Sequence, residues 1–315
     1  MIRVLCCYCY CPQRAIEADE KKTPQGLFYR DLPHFINADG NHLFCRYWIP
    51  RTPIRALMMI IHDAGEHSGR YENLVELFLE FSLLVFSHDH VGHGQSEGKR
   101  LYISDFRIYV RDCLQHIDIM KRQYPNLKLY TISFSMGGLI QINIMNERPN
   151  IVAAAIFMAP LVLMNPESAT PIKMFLAKVL YHTLPHLTLG YIDPYAISTN
   201  KYEVASYIND PLVCNGPVKI KFAFEVLNAL SRIERIFPTI STPLLIMHGD
   251  LDSLSDIRGS FIMYGKVAST DKTFKIVQNA FHNLHHEHPV TVNEVLAFVK
   301  AWLMERLPSE NATNL

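Results

Sequence analysis

The chain has 315 residues, of which 30 are basic (Lys and Arg) and 30 are acidic, so its formal net charge at pH 7 is zero. This length accommodates one large α/β domain with an inserted subdomain, or two small domains. No block of like charge occurs in the sequence. We therefore do not expect electrostatic binding to nucleic acid or to an anionic membrane surface. Hydrophobic residues make up 49% of the chain, which places it at the apolar end of globular proteins.

The cysteines are concentrated at the start of the chain. Four of the seven lie within the first eleven residues, namely Cys6, Cys7, Cys9 and Cys11, and the others are too few for a disulfide scaffold. No run approaches the roughly eighteen apolar residues of a membrane span, and residues 1–10 are short for a secretory signal. We therefore expect a cytoplasmic protein. Residues 1–22 are interpreted as a leader that either carries palmitoyl chains on its cysteines or is an unstructured start.

Buried strands and amphipathic helices alternate along most of the chain. Short apolar, β-branched runs predict strands at residues 43–48, 56–61, 83–87, 127–133, 153–158, 243–247 and 274–277. Stretches with helical periodicity lie between them, at residues 72–81, 104–123, 136–146 and 290–307. This alternation predicts an α/β fold with a mostly parallel central sheet flanked by helices.

One interval, at about residues 161–238, interrupts the alternation. It contains no clear buried strand, and an amphipathic or apolar stretch at 171–189 is followed by scattered glycine and prolines. We interpret it as a helical cap inserted into a single domain of residues 23–307, because so long an irregular segment needs structure of its own. The alternative is a second small domain. Residues 308–315 are expected to form a frayed tail.

A serine lies where a nucleophile would be expected in such a fold. Ser135 follows a predicted strand, and Met136-Gly137-Gly138 opens the next helix. This strand, turn and helix form the context of a nucleophile elbow, in which a strained backbone exposes the hydroxyl and the flanking residues must be small. Gly137 meets that need better than Ser133 does. The alternative is an ordinary serine before a glycine-rich helix start.

A serine nucleophile needs a histidine base that is oriented by a carboxylate, and in this fold the acid precedes the histidine in the chain. His282 follows the last predicted strand, and an acidic loop follows the strand before it. We predict His282 as the base and Asp252 as the acid. Asp250 and Asp256 remain alternatives for the acid, because spacing does not separate carboxylates on one loop.

The histidines near residue 282 also allow a metal-binding interpretation, since histidines three or four residues apart can share one face of a helix. The residues concerned are His282, His285, His286, Glu287 and His288. The segment lacks the H-E-x-x-H order that pairs two metal ligands with a general base. A histidine-rich loop with one catalytic member explains it better, so neither a metal nor another cofactor is expected.

Acyl transfer through a tetrahedral intermediate also needs two backbone N–H donors directed at the oxyanion. One comes from the residue after the nucleophile, which is Met136. The other comes from the loop after an early strand, and residues 62–65 (His-Asp-Ala-Gly) stand there. Ala64 is the expected second donor.

Several longer segments resemble the vertebrate monoacylglycerol lipase family of α/β-hydrolases. The resemblance runs from about residue 23 to residue 307, and its most specific segments are 62–71 (HDAGEHSGRY), 88–98 (HDHVGHGQSEG) and 133–138 (SFSMGG). It implies an α/β-hydrolase fold and hydrolysis of monoacylglycerols such as 2-arachidonoylglycerol, without metal or cofactor. It also implies an apolar cap that receives the acyl chain and contacts membrane. A homodimer is left open.

Matched residue by residue, the resemblance implies roles for nine side chains or backbone groups. Nucleophile, acid and base are Ser135, Asp252 and His282, and the oxyanion donors are Ala64 and Met136. Glu66, Arg70 and His285 match polar residues near the glycerol end of the family's pocket, and Cys214 matches a cysteine close to it.

The chain departs from the family beside the expected active site. The family has Gly at Asp63, Gly at Ser133 and His at Phe134, and its acid-loop cysteine is Ser255 here. An ionised Asp63 about 6 Å from the oxyanion would oppose it by roughly 2.8 kcal/mol at an effective dielectric near 20, or about a hundredfold in rate. The expectation is therefore a working but slow esterase. The alternative is a catalytically silent relative that binds or sequesters lipid.

Overall fold

A computed structural model of the protein describes residues 20–166 and 169–308. The predictions made for the four leader cysteines and for most of the tail fall outside the described residues. Within them, eight strands form one sheet in the order β1-β2-β4-β3-β5-β6-β7-β8. The strands are β1 (His34–Ile36), β2 (His42–Trp48), β3 (Ala56–Ile61), β4 (Leu83–His88), β5 (Leu129–Phe134), β6 (Ala154–Met158), β7 (Leu244–Gly249) and β8 (Lys272–Val277).

Strands β3 to β8 are parallel to one another, whereas β2 pairs antiparallel with both β1 and β4. The predicted mostly parallel sheet is therefore confirmed. Strand β3 is buried throughout, and its alternate side chains enter opposite cores. Leu57, Met59 and Ile61 belong to one core, and Met58 and Ile60 belong to the other.

Helices cover both faces of this sheet. The described helices are α1 (Glu72–Glu80), α2 (Arg107–Gln123), α3 (Met136–Glu147), α4 (Pro171–Leu180), α5 (Lys201–Asn209), α6 (Ile220–Ile233), α7 (Ile257–Lys266) and α8 (Pro289–Met304). Helices α2, α3 and α6 contribute to one core, while α1 and α8 contribute to the other. The two faces of the sheet are thus both withdrawn from water, as a parallel sheet requires.

Between β6 and β7 the described residues form helices α4, α5 and α6 and no strand. Helix α4 begins at Pro171 behind Thr170, whose side chain accepts a hydrogen bond from the Lys173 backbone N–H at 3.4 Å. It ends at Leu180, so the helix is shorter than the apolar stretch seen in the sequence. Helix α4 packs against α6, which joins it to the core.

Parallel strands bring their carboxyl ends to the same edge of a sheet, and ligand sites in open α/β sheets lie outside that edge. The chain leaves β3 at Ile61, β5 at Phe134, β7 at Gly249 and β8 at Val277. The loops that follow carry all the residues expected to perform the chemistry. The fold therefore places these loops side by side.

Candidate active site

Ser135 occupies a strained turn between β5 and α3. Its backbone has φ +46° and ψ −112°, a combination that non-glycine residues rarely adopt. Its N–H donates to Met158 O at 3.1 Å, and its carbonyl accepts from Leu161 N at 2.9 Å. A Cβ atom at Gly137 would lie 2.2 Å from Ile61 O, so this position must be glycine. The turn has the geometry of a nucleophile elbow.

Ser133, on the strand side of the elbow, is fully buried. Its hydroxyl donates a hydrogen bond to Ile156 O at 3.3 Å on the neighbouring strand. Residue 133 still pairs with Ile61 and Phe157 in the sheet. The serine is therefore accommodated in the sheet without loss of strand pairing.

His282 and Asp252 form a buried pair below the elbow. Nδ1 of His282 lies 2.7 Å from Asp252 Oδ2, which also accepts from Ser255 Oγ at 2.9 Å and lies 3.1 Å from Nε2 of His248. Asp252 Oδ1 accepts from the backbone N–H groups of Leu254 at 2.8 Å and Ser255 at 3.1 Å. These contacts fix the carboxylate in an orientation that holds the imidazole. Ser255, which stands where the family has a cysteine, is part of this network.

The other two carboxylates on the acid loop lie apart from His282. Asp256 caps helix α7 through the Arg258 N–H and pairs with the Arg258 side chain at 2.5 Å. Asp250 is exposed. Of the three candidate acids, the structure brings Asp252 to the histidine.

The charges of the pair stabilise each other. Burial by itself raises the pKa of Asp252, but His282 and His248 outweigh burial and hold that pKa well below its usual range. Burial likewise lowers the pKa of His282, but the carboxylates of Asp252 and Asp63 overcome this and raise it well above the ordinary value. Both carboxylates therefore favour the protonated form of His282.

The Asp63 carboxylate occupies the position expected for the oxyanion, between the two backbone N–H donors. Asp63 Oδ1 accepts from Ala64 N at 2.5 Å and from Met136 N at 3.2 Å. Asp63 Oδ2 lies 3.4 Å from Nε2 of His282. The carboxylate thus lies in the oxyanion hole itself. The Coulomb estimate above assumed that it would lie about 6 Å away from the oxyanion. Among the described residues, the Ser135 hydroxyl has no hydrogen-bond partner.

A cavity of about 360 Å³ opens above Ser135 and His282 and extends beneath the cap. It lies within the range of roughly 300–1,000 Å³ that is usual for small-molecule sites. Its floor includes Ala64 and Met136. The walls are mostly apolar, and they include Leu161, Met164, Ala169, Met174, Ala177, Leu189, Ile192, Val218, Phe222, Val226, Leu227 and Leu254.

The three residues matched to the glycerol end of the family's pocket, and the cysteine matched close to it, do not line this cavity. Glu66 is buried behind it, where it accepts from Tyr71 OH at 2.5 Å and Asn283 Nδ2 at 2.7 Å. Arg70 and His285 instead line a separate, more polar cavity of about 490 Å³. Cys214 is half-buried against the oxyanion loop, and its N–H donates to Gly65 O at 2.7 Å. Sequence matching placed these residues in the pocket because it does not report which way a side chain points.

Phe134, next to Ser135, belongs to an aromatic cluster with Tyr71 and His285. Its ring packs against Tyr71 at 4.3 Å and against His285 at 4.7 Å between ring centroids, and His285 in turn stacks on Tyr71. Burial, followed by the neighbouring charges of His286 and Arg70, lowers the pKa of His285 well below its usual value. The residue is therefore a neutral member of an aromatic stack.

Two further residues at the site could not be assigned from spacing alone. His248 is the last residue but one of β7 and precedes Asp252 by four residues, and its Nδ1 lies 2.7 Å from Ser260 Oγ, which orients the ring toward the acid. Asp63 departs from the family's glycine, but its contact with both oxyanion donors depends on a side-chain rotamer. A histidine at the end of a strand, followed by the acid loop, is the only signal that the sequence gives for His248.

The histidine-rich segment near residue 282 does not assemble a metal site in the described part of the chain. The group whose ligand atoms do lie within 4.8 Å of one another consists of His88, His90 and Cys113, all buried. Burial lowers the pKa of both histidines, which leaves them neutral and able to coordinate, but it raises the pKa of the Cys113 thiol well above its usual value. None of these three side chains belongs to the segment 282–288.

Known proteins match the chain over most of its length. A hydrolase family model described as serine aminopeptidase S33 matches residues 52–289. The monoglyceride lipase of Homo sapiens is 48% identical over 290 residues, which are 92% of this chain and 96% of the relative.

Solved structures give a consistent result. The structure of Paleococcus ferrophilus monoacylglycerol lipase has a TM-score of 0.75 at 28% identity, over 84% of this chain and 99% of its own. A soluble variant of monoglyceride lipase from Saccharomyces cerevisiae, solved with a substrate analogue, has a TM-score of 0.79 at 21% identity, over 89% of this chain and 95% of its own, and supports the fold alone. The expected fold class and family are confirmed: the chain belongs to the serine aminopeptidase S33 family of hydrolases and, within it, to the monoglyceride lipases.

Proposed function

We propose that the protein is a serine ester hydrolase that cleaves monoacylglycerols to a free fatty acid and glycerol. The observation that carries this proposal is the position of Ser135, on a strained elbow at the floor of an apolar cavity, beside a buried His282–Asp252 pair. The 48% identity with human monoglyceride lipase points to the same substrate class.

In the proposed reaction, Ser135 Oγ attacks the ester carbonyl while Nε2 of His282 removes its proton. Asp252 holds Nδ1–H of His282 and stabilises the imidazolium that forms. The same proton is then given to the leaving glycerol oxygen, and an acyl-enzyme remains. Water, deprotonated by His282, releases the fatty acid and restores Ser135. The N–H groups of Ala64 and Met136 are the donors for the oxyanion in both steps.

The cavity supports a substrate with one acyl chain. Its volume of about 360 Å³ and its aliphatic walls suit a single chain beneath the cap, whereas a triacylglycerol would have to leave two chains outside. We therefore expect monoacylglycerols to be hydrolysed well ahead of triacylglycerols. Comparable rates on an emulsified triglyceride would contradict this substrate class.

A fluorophosphonate probe tests the serine without assuming a substrate, because labelling requires an activated hydroxyl. The parent should be labelled and should release glycerol from 2-monoacylglycerol, whereas Ser135→Ala should lose both activities and keep its melting temperature. Ser231→Ala, at an exposed serine on α6, is the matched control and should behave as the parent. Labelling of Ser135→Ala at the parental rate would reject Ser135 as the nucleophile.

The same experiment addresses the alternative of a lipid-binding protein without catalysis. The comparisons give no support to that alternative. A parent that binds monoacylglycerol but neither reacts with the probe nor releases glycerol would nevertheless establish it.

We also propose that the cap rests on a membrane surface. Helix α4 buries Ala177, while Ile172, Phe175, Leu176 and Val179 form an apolar stripe on its outer face at intervals of three and four residues. Ile172 is 72% exposed and Phe175 is 63% exposed. A contiguous exposed patch of this kind beside a lipid cavity is typical of an interfacial helix. None of the helices in the described part of the chain has the length and apolarity that a bilayer span requires.

A second attachment is proposed for the leader, where Cys6, Cys7, Cys9 and Cys11 accept palmitoyl chains. Each buried methylene adds about 0.8 kcal/mol, so several acyl chains would hold the protein far more firmly than the cap alone. Changing all four cysteines to serine should move the protein from washed membranes to the soluble fraction. If parent and variant fractionate alike and hydroxylamine does not release the parent, the leader is not an anchor.

A further inference from the structure

The Asp63 carboxylate makes the contacts that the reaction reserves for the oxyanion. Its Oδ1 lies 2.5 Å from Ala64 N and 3.2 Å from Met136 N, whereas donors to an oxyanion are expected at about 2.7–3.1 Å. Its Oδ2 lies 3.4 Å from Nε2 of His282, the atom that must take the proton of Ser135. One side chain therefore engages the two oxyanion donors and the base together.

We propose that Asp63 is an internal inhibitor of the active site, a carboxylate that binds in the oxyanion hole and must leave before a substrate carbonyl can enter. The proposal rests on the ester hydrolase function proposed above. It gives Asp63 a role that differs from long-range repulsion, because two oxygen atoms cannot occupy the hole together. Turnover is then limited by how often the carboxylate leaves.

The contacts around residue 63 explain how the side chain can leave while its backbone stays. The Asp63 N–H donates to Tyr71 OH at 3.0 Å, and Tyr71 in turn donates to the buried Glu66. This chain fixes the position of the Ala64 N–H. The Asp63 side chain itself lines the cavity and is 13% exposed, so rotation about its own bonds can carry the carboxylate into the cavity.

The ionisable groups around this contact determine how it depends on pH. Asp252, on the acid loop, and His248, on β7, form one group with His282. Tyr71, which precedes α1, contacts both Glu66 and the backbone of Asp63. Tyr207, on α5, is close enough to Asp63 for their charges to interact. Among the residues that the structure describes, His282 alone has a carboxylate at each of its two ring nitrogens. Because Asp63 helps to raise the pKa of His282, the neutral base forms at a higher pH than it would without Asp63.

The test compares the parent with Asp63→Gly and Asp63→Asn. Glycine empties the hole and removes the charge. Asparagine removes the charge but keeps an amide oxygen of the same shape for the two N–H donors. The measurements are kcat/KM on a water-soluble p-nitrophenyl ester and the rate of fluorophosphonate labelling, each from pH 6 to pH 9, with melting temperatures as a check on folding.

At pH 9 we expect Asp63→Gly to exceed the parent by about ten- to a hundredfold in both measurements. Asp63→Asn should remain at least about threefold slower than Asp63→Gly. The amide oxygen binds the two N–H donors more weakly than a carboxylate does, but it still fills the oxyanion hole. Both variants should show the acid limb of the pH profile at a lower pH than the parent.

Two results would overturn the proposal. The first is that the parent and Asp63→Gly react at equal rates with the same acid limb. The second is that Asp63→Asn is as fast as Asp63→Gly, which would leave charge as the only effect. Failure of the proposed function looks different, because the parent and both variants would then be no more reactive toward the probe than Ser135→Ala.

Discussion

At His282 two carboxylates meet one imidazole, and they act on different nitrogen atoms. Asp252 contacts Nδ1 and Asp63 contacts Nε2. A contact at Nδ1 fixes the tautomer that leaves Nε2 free to accept a proton, and a contact at Nε2 competes with that function. The two acidic side chains therefore have opposite expected effects on turnover.

We predict that Asp252→Asn lowers kcat by about three to four orders of magnitude, because an amide at residue 252 no longer fixes the tautomer or balances the imidazolium. Asp250→Asn, on the same loop but exposed, should retain the parental rate within about twofold. Steady-state hydrolysis of a soluble ester, with melting temperatures for both variants, measures the difference. A loss of activity in Asp250→Asn similar to that in Asp252→Asn would show that the acid was assigned to the wrong side chain.

Much of this residue-scale chemistry can be predicted from the sequence, because the order of the elements determines which loops meet. Ser135, Asp252 and His282 each follow a buried apolar run, and the parallel sheet brings the ends of those runs together. The rotamer of Asp63 and the burial of Glu66 depend instead on side-chain packing, which spacing does not encode. Residue identity was sufficient to mark Asp63 as unusual, but it did not show what the carboxylate touches.

At the scale of elements, helix α4 differs from the other helices near the site in what it buries. Of its ten residues, Ala177 alone is buried, and its charged side chains are Lys173 and Lys178. Isolated helices of this length are marginal in water, so packing against α6 and the cavity must hold α4 in place. A helix held by one face can offer the opposite apolar face to a lipid surface.

We predict that Phe175→Glu together with Val179→Glu lowers binding to phosphatidylcholine vesicles by at least about tenfold, since each side chain contributes roughly 1.5–3 kcal/mol when it is fully buried. Hydrolysis of a water-soluble ester should stay near the parental rate. Val290→Glu, at a residue on α8 that is 82% exposed, serves as the control for an added surface charge. Vesicle sedimentation is the measurement, and equal losses in both proteins would exclude α4 as the contact surface.

The elements that the sequence predicted well are the ones with long buried runs. The bounds of β3 were predicted as the structure has them, and those of α3 differ by one residue. Strand β1, with three residues, and helix α7, which is only partly buried, were missed because a short or exposed element leaves little hydrophobic periodicity. The helices at α5 and α6 were anticipated only as an unspecified cap, whose boundaries as a separate unit stay a prediction.

Across the whole molecule, the most unusual feature is how many histidines are fully buried without an acidic partner. Burial is the first cause that lowers the pKa of six of them, which are His62, His88, His90, His93, His116 and His285. The pKa falls to about 3 for His62, His93 and His116. Each stays neutral in the folded protein at pH values where the unfolded chain, with a histidine pKa of about 6.5, takes up a proton.

This difference predicts a protein that is unstable in mild acid. The stability that depends on these neutral rings is complete above pH 6.5 and is lost as pH falls toward their folded pKa values. At pH 5 each of the three histidines whose folded pKa is about 3 favours unfolding by about 2 kcal/mol, and the three together by about 6 kcal/mol, which is comparable to the 5–15 kcal/mol that stabilises a whole domain. His88, His90 and His285 act in the same direction. Buried Asp112 has the opposite effect on stability at pH 5. Burial raises its pKa to about 6, so the folded state keeps a proton that the unfolded chain releases. That contribution is about 1–2 kcal/mol at pH 5, so the histidines prevail.

We therefore expect the fold to be lost between about pH 6 and pH 4.5, well above the acid range in which ordinary carboxylates are protonated. Circular dichroism and urea unfolding at pH 8, 7, 6 and 5.5 at constant ionic strength measure the slope of stability with pH. His116→Gln, whose amide can still bond with Tyr47 OH, should reduce the loss at pH 5.5 by about 1.4 kcal/mol. His182→Gln, at an exposed histidine after α4, should leave the slope unchanged. A parent that stays folded at pH 4, or a slope that is the same in His116→Gln as in His182→Gln, would mean that the buried rings take up protons without unfolding the chain.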